Sequence, residues 1–132
     1  MKIASLVARI LRGLMFLAGG IAGFFIVNTP PPAPTPMATA FQNVYFASRY
    51  VLFVDSFYIL IGVALLLNRY VPLALVALAA IIVNIYIFHI TMTPLFPAIL
   101  APIVVTIFWL LVALPLKRHF EPLLAANASA NV

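Results

Sequence analysis

The sequence contains no cysteine. Disulfides, thiol redox chemistry, iron–sulfur ligation and cysteine-based zinc sites are therefore excluded, and any redox role needs a borrowed cofactor or partner. Charge is almost as scarce. Charged residues make up 7% of the chain and hydrophobic residues 67%, whereas soluble domains carry about 25% charge. So few charges cannot clothe a water-soluble globule, and the 132 residues read as one domain, 1–132, built for lipid. The net charge of +5 does not point to nucleic acid. A nucleic-acid reader gathers its bases into a dense face, whereas Lys2, Arg9, Arg12, Arg69, Lys117 and Arg118 stand at the edges of apolar runs.

Self-contained catalytic machinery is also missing from the pattern. There is no Gly-rich phosphate loop, nucleophile elbow or zinc motif, and Ser48 and Ser56 lack triad partners. The two histidines, His89 and His119, fall at opposite ends of the expected spans, which argues against a metal or haem site.

What the chain does have is apolar runs close to the ~20 residues that a hydrocarbon core requires. They cover about 3–27, 50–67, 71–90 and 95–116. The expected fold is an all-α membrane protein, a four-transmembrane-helix bundle. A Pro-rich outer loop and a short interfacial helix are expected between helices one and two. The loop is Asn28 to Pro36, where repeated proline forbids helix and favours a stiff extended connector. Met37 to Ser48 is too polar to span comfortably, and Tyr45 and Tyr50 suit the depth of an interface. Pro102 is expected to kink the fourth span.

The basic residues set the orientation. With the N-terminus inside, Lys2, Arg9, Arg12, Arg69, Lys117 and Arg118 are internal and Arg49 alone is external. That asymmetry follows the positive-inside rule and puts both termini in the cytoplasm. Arg9 and Arg12, one turn apart, are expected to snorkel to headgroups.

Polar residues inside the spans are the functional candidates. Asp55 is the only acid in an apolar run, where an ionisable group costs ~2.5–3.5 kcal/mol on insertion scales. It reads either as a ligand or proton site or as a hydrogen bond that fixes packing. Counted from the Asn68-Arg69-Tyr70 connection, Asp55 and Asn84 both lie roughly 21–22 Å up their helices at 1.5 Å per residue. The two therefore share a depth in the outer half, from which they could meet. Tyr58 follows Asp55 by one turn. His89 faces away from Asn84 by roughly 140° and reads as either an interfacial residue or a ligand contact. Gly19 and Gly23 form a G-x-x-x-G pair, which reads either as small residues that let another helix approach closely or as the ordinary frequency of Gly in membrane helices.

Three stretches carry a resemblance. They are Ala8-Arg9-Ile10-Leu11-Arg12-Gly13-Leu14, Leu66-Leu67-Asn68-Arg69-Tyr70-Val71-Pro72-Leu73-Ala74-Leu75, and Ile82-Val83-Asn84-Ile85-Tyr86-Ile87-Phe88-His89. Together they resemble the DoxX/DoxX-like family of small bacterial four-helix membrane proteins, over about residues 3–124. Members often carry Asn-Gly-Phe where this chain has Ala22-Gly23-Phe24, and Glu where it has Asp55. The resemblance implies the bacterial cytoplasmic membrane and a quinone-linked redox context, since some relatives are subunits of thiosulfate:quinone oxidoreductase or associate with redox-defence proteins. In that setting a quinone would be the cofactor. Asp55 would accept or position a proton and Asn84 would donate to a ligand carbonyl, with His89 and Tyr58 as second candidates.

A different class of function remains open, a non-catalytic accessory subunit of a larger membrane complex. It would have lipid and other membrane subunits as partners. A transporter or pore is disfavoured by a single acid and no polar stripe along the span.

Overall fold

The computed structural model describes residues 2–94 and 96–124. Every regular element among them is helical. α1 is Lys2–Ile26, α2 Pro36–Ala47, α3 Tyr50–Leu66, α4 Val71–Thr91 and α5 Leu100–Ala113, and 3-10 turns follow at Leu114–His119 and Glu121–Leu124. α1, α4 and α5 with its first 3-10 turn are each long and apolar enough to cross a membrane. α3 has 17 residues, ~25 Å of helix, and qualifies only together with α2, from which it is bent by 83°. Among the described residues there are thus three helices long and apolar enough to cross a membrane, or up to four if the bent pair is one span.

Local chemistry explains the boundaries. The Thr35 side chain accepts from Ala38 N at 3.1 Å and Pro36 follows, so an N-cap and a proline free of N–H start α2. α3 ends in a Schellman turn. Asn68 is left-handed (φ 54°), Arg69 N donates to Ala64 O at 3.0 Å and Asn68 N to Leu65 O at 3.4 Å. Asn is, after Gly, the residue that tolerates that position. At the equivalent place after α2 stands Arg49 (φ 62°), which lacks that tolerance.

The fourth span differs from expectation. Its expected first residue, Leu95, lies outside the described residues, and α5 begins only at Leu100. Pro102 therefore falls in the first helical turn, where a missing N–H removes no intrahelical bond. The expected kink has no cause there.

α1 packs most extensively on α3, and also touches α5; α5 touches α4, and α4 touches α3. These contacts close a cycle. In lipid, helices are held by close packing and hydrogen bonds, since the tails are as apolar as the side chains. Both devices are present. A Cβ built on Gly62 of α3 would stand 2.6 Å from Leu17 N and 2.8 Å from Gly13 O, and one on Gly20 of α1 would stand 2.7 Å from Asp55 O. At Gly62 and Gly20 the two helices approach too closely for a side chain on the glycine.

At the end of the cycle nearest the N-terminus, side chains staple one helix to the backbone of the next. Arg9 Nη1 donates to Leu65 O at 2.6 Å, joining α1 to α3. Arg12 Nη2 donates to Val105 O, joining α1 to α5. Trp109 Nε1 donates to Leu75 O at 2.9 Å, joining α5 to α4. Arg12 is 1% exposed, so it does not snorkel. It turns inward because a carbonyl of α5 is within reach, although its Nε and Nη1 have no partner among the described residues. Leu65, Leu75 and Leu78 are fully buried between the helices, while Phe25, Leu60 and Leu73 are 65–80% exposed. Apolar exposure on that scale suits lipid and not water.

Candidate functional site

The half of the molecule away from these staples contains a pocket of about 370 Å³ between α2, α3 and α4. α3 contributes Val54 and Tyr58, and α4 contributes Ile81, Asn84, Ile85, Phe88 and His89. Phe41 and Tyr45 of α2 close it from above. Their rings stack at 5.5 Å, and Phe41 also meets Phe88 at 5.6 Å. A connector residue also ties the roof down, because the Thr35 hydroxyl donates to Met92 O at the end of α4. Burial pushes the Tyr45 phenol well above its ordinary pKa, with smaller contributions from nearby Tyr58, Asp55 and Tyr50, so it stays a neutral hydroxyl.

Tyr58, Asn84 and His89 all line this pocket. On α4 the lining positions 81, 84, 85, 88 and 89 span an arc of roughly 140° at 100° per residue. Asn84 and His89 stand at its two edges. Facing apart on the helix, they flank a slot wide enough to include both. Asn84 Nδ2 donates to Ala80 O at 3.0 Å, which leaves its carbonyl and second N–H for a ligand. His89 Nδ1 lies 2.7 Å from Ile85 O. A carbonyl can only accept, so Nδ1 carries a proton, and in the neutral ring Nε2 is then a lone-pair acceptor. Tyr58 meets Phe16 of α1 edge-on at 5.1 Å between centroids, which fixes its ring.

Asp55 is elsewhere. It is 6% exposed and turned towards α1, where its carboxylate fills the space a side chain at Gly23 would need. Its Oδ2 has no hydrogen-bond partner among the described residues. Asn84 lines the pocket and Asp55 does not, because Asp55 stands on the face of α3 that meets α1. On α3, Asp55, Ile59, Gly62 and Leu66 meet α1, while Val54 and Tyr58 meet the pocket.

The glycine pair also divides. Gly23 lies in the α1–α3 seam, but a Cβ at Gly19 would meet nothing within 4 Å. Gly19 instead borders a smaller cavity of about 220 Å³, lined by Met15, Phe16, Tyr58, Ile85 and Val105. All members of the α1–α3–α4–α5 cycle contribute to it. Tyr58 and Ile85 border both spaces. The close-packing positions on α1 are Gly13, Gly20 and Gly23.

Sequence reasoning missed Phe41, Phe88 and Tyr45 as pocket residues. The available signal was the cluster of aromatics in the segment read as interfacial. No group of three or more His, Asp or Glu able to hold a metal occurs among the described residues.

Comparison of the chain with family models, with curated proteins and with solved structures finds no match.

Proposed function

We propose that the chain is a DoxX-like multi-pass protein of the bacterial cytoplasmic membrane that holds a flat, carbonyl-bearing ligand of the quinone class. In this reading α1, α3, α4 and α5 form a transmembrane four-helix bundle and both termini are cytoplasmic. α2 lies along the outer interface. The observation that carries the reading is the aromatic pocket with Tyr58, Asn84 and His89 on its walls.

The chemistry of those walls supports it. Phe41, Tyr45 and Phe88 offer ring faces and edges to a planar ligand. The Tyr58 hydroxyl and the free Asn84 N–H are donors for a ring carbonyl. In the neutral imidazole, His89 Nε2 is an acceptor for the hydroxyl of a reduced ring. Oxidised and reduced forms of one ligand therefore both find partners. Asp55 has a packing role in this reading, and no proton step is assigned to it.

Solvent extraction of protein purified in mild detergent tests the proposal. A stoichiometric quinone in the extract is expected, and a ligand-free protein that also fails to take up added quinone contradicts it.

One observation favours a second reading, a non-catalytic accessory subunit. The only acid within the spans is spent on the α1–α3 seam. Stoichiometric co-purification of a larger membrane complex, without bound quinone, would select that reading.

A further inference from the structure

A second pocket lies at the corner where α1 ends and α2 turns into α3. Its volume is about 400 Å³, and its lining includes Arg49, Asn28, Asn43, Val27, Pro30 and Phe46. It shares no lining residue with the aromatic pocket. Three features define what fits. Arg49 supplies a permanent positive charge, and the two asparagines supply amide donors beside it. Val27, Pro30 and Phe46 form an apolar wall on the same opening.

Among the described residues Arg49 has no acid to satisfy it. The chain contains only two acidic residues. The Asp55 carboxylate is buried against Gly23 and does not line the pocket. Glu121 lies beyond the opposite end of α5. Arg49 is held at this corner by the turn itself, since Arg49 N donates to Phe46 O at 3.1 Å and Leu52 N to Arg49 O at 3.0 Å.

We propose that this corner is a phospholipid seat, in which Arg49, Asn28 and Asn43 hold the phosphate of an anionic lipid and the apolar wall takes the first carbons of its chains. Position supports a lipid over free phosphate. The pocket is at the ends of apolar helices, the level at which lipid phosphates lie, and half of its named lining is apolar. The seat needs the helices to cross a bilayer, but it does not depend on the quinone reading or on which leaflet the corner faces.

Native mass spectrometry of the detergent-purified chain tests it, with phosphatidylglycerol, phosphatidylcholine and inorganic phosphate added separately. The wild type is expected to retain phosphatidylglycerol about five-fold better than phosphatidylcholine, the scale of one basic residue near a membrane surface. Arg49→Gln should abolish the preference and Arg49→Lys should keep most of it. Arg49 is exposed, so all three proteins are expected to unfold at the same temperature. Equal retention of phosphatidylglycerol by wild type and Arg49→Gln overturns the seat. Retention of inorganic phosphate without any lipid preference overturns its assignment to lipid. Quinone content, read from the same samples, reports separately on the aromatic pocket.

Discussion

The carboxylate of Asp55 occupies the space that a side chain on Gly23 would need, so the two residues specify each other across the α1–α3 seam. Gly23→Ala must push the acid or the helix aside. The expected cost is about 1–3 kcal/mol, typical of overpacking, read from thermal unfolding in detergent. Asp55→Ala should make room, so Gly23→Ala in that background should cost at least about 1 kcal/mol less. Additive costs would mean that the two residues do not touch.

The other glycines separate packing from mere frequency. Gly62→Ala drives a methyl into the backbone of α1, at Leu17 N and Gly13 O, where no side chain can rotate away. It should lower the unfolding temperature more than Gly23→Ala. Gly19→Ala faces open space and should be neutral or stabilising, by up to about 1 kcal/mol from helix propensity. The same unfolding assay checks both.

The staples should divide by sign. Trp109→Phe removes one hydrogen bond to Leu75 O and should cost about 0.6–1.7 kcal/mol, the range for interhelical bonds in lipid. Arg12→Met removes a buried guanidinium with a single bond and two unpaired donor atoms. Because desolvating such a charge outweighs one hydrogen bond, this variant should be more stable than wild type. Chemical unfolding of both proteins in mixed micelles gives the comparison.

Thr35 holds the roof of the aromatic pocket through Met92 O and also caps α2. Thr35→Val should loosen α2 by about 1 kcal/mol without changing unfolding of the remaining helices. Faster hydrogen exchange confined to residues 36–47 is the expected signature.

The spanning helices were legible because each is a long apolar run, and α2 because the Pro-rich connector ends where it begins. The α3–α4 hairpin was legible because the Asn68-Arg69-Tyr70 connection is so short. The helix faces were not legible. α3 and α4 are apolar almost all round, so nothing in their pattern says which side meets α1 and which meets the pocket. That is why Asp55 and Asn84 were placed at one depth but not on their separate faces. Arg12 was misread for a related reason. Snorkelling is the default for a basic residue near a span end, and only the tertiary fold brings Val105 O within its reach. The pocket roof was hidden because Phe41 and Phe88 are 47 residues apart (88 − 41).

Binding of a short-chain benzoquinone to the detergent-purified protein, by isothermal titration calorimetry, tests the central claim most directly. Saturable binding is expected. His89→Leu and Asn84→Leu should each weaken it by about tenfold, the loss of one well-made polar contact, while Asp55→Asn should leave it unchanged. Binding that survives both leucine variants but disappears with Asp55→Asn, or no saturable binding in the wild type, would contradict the account.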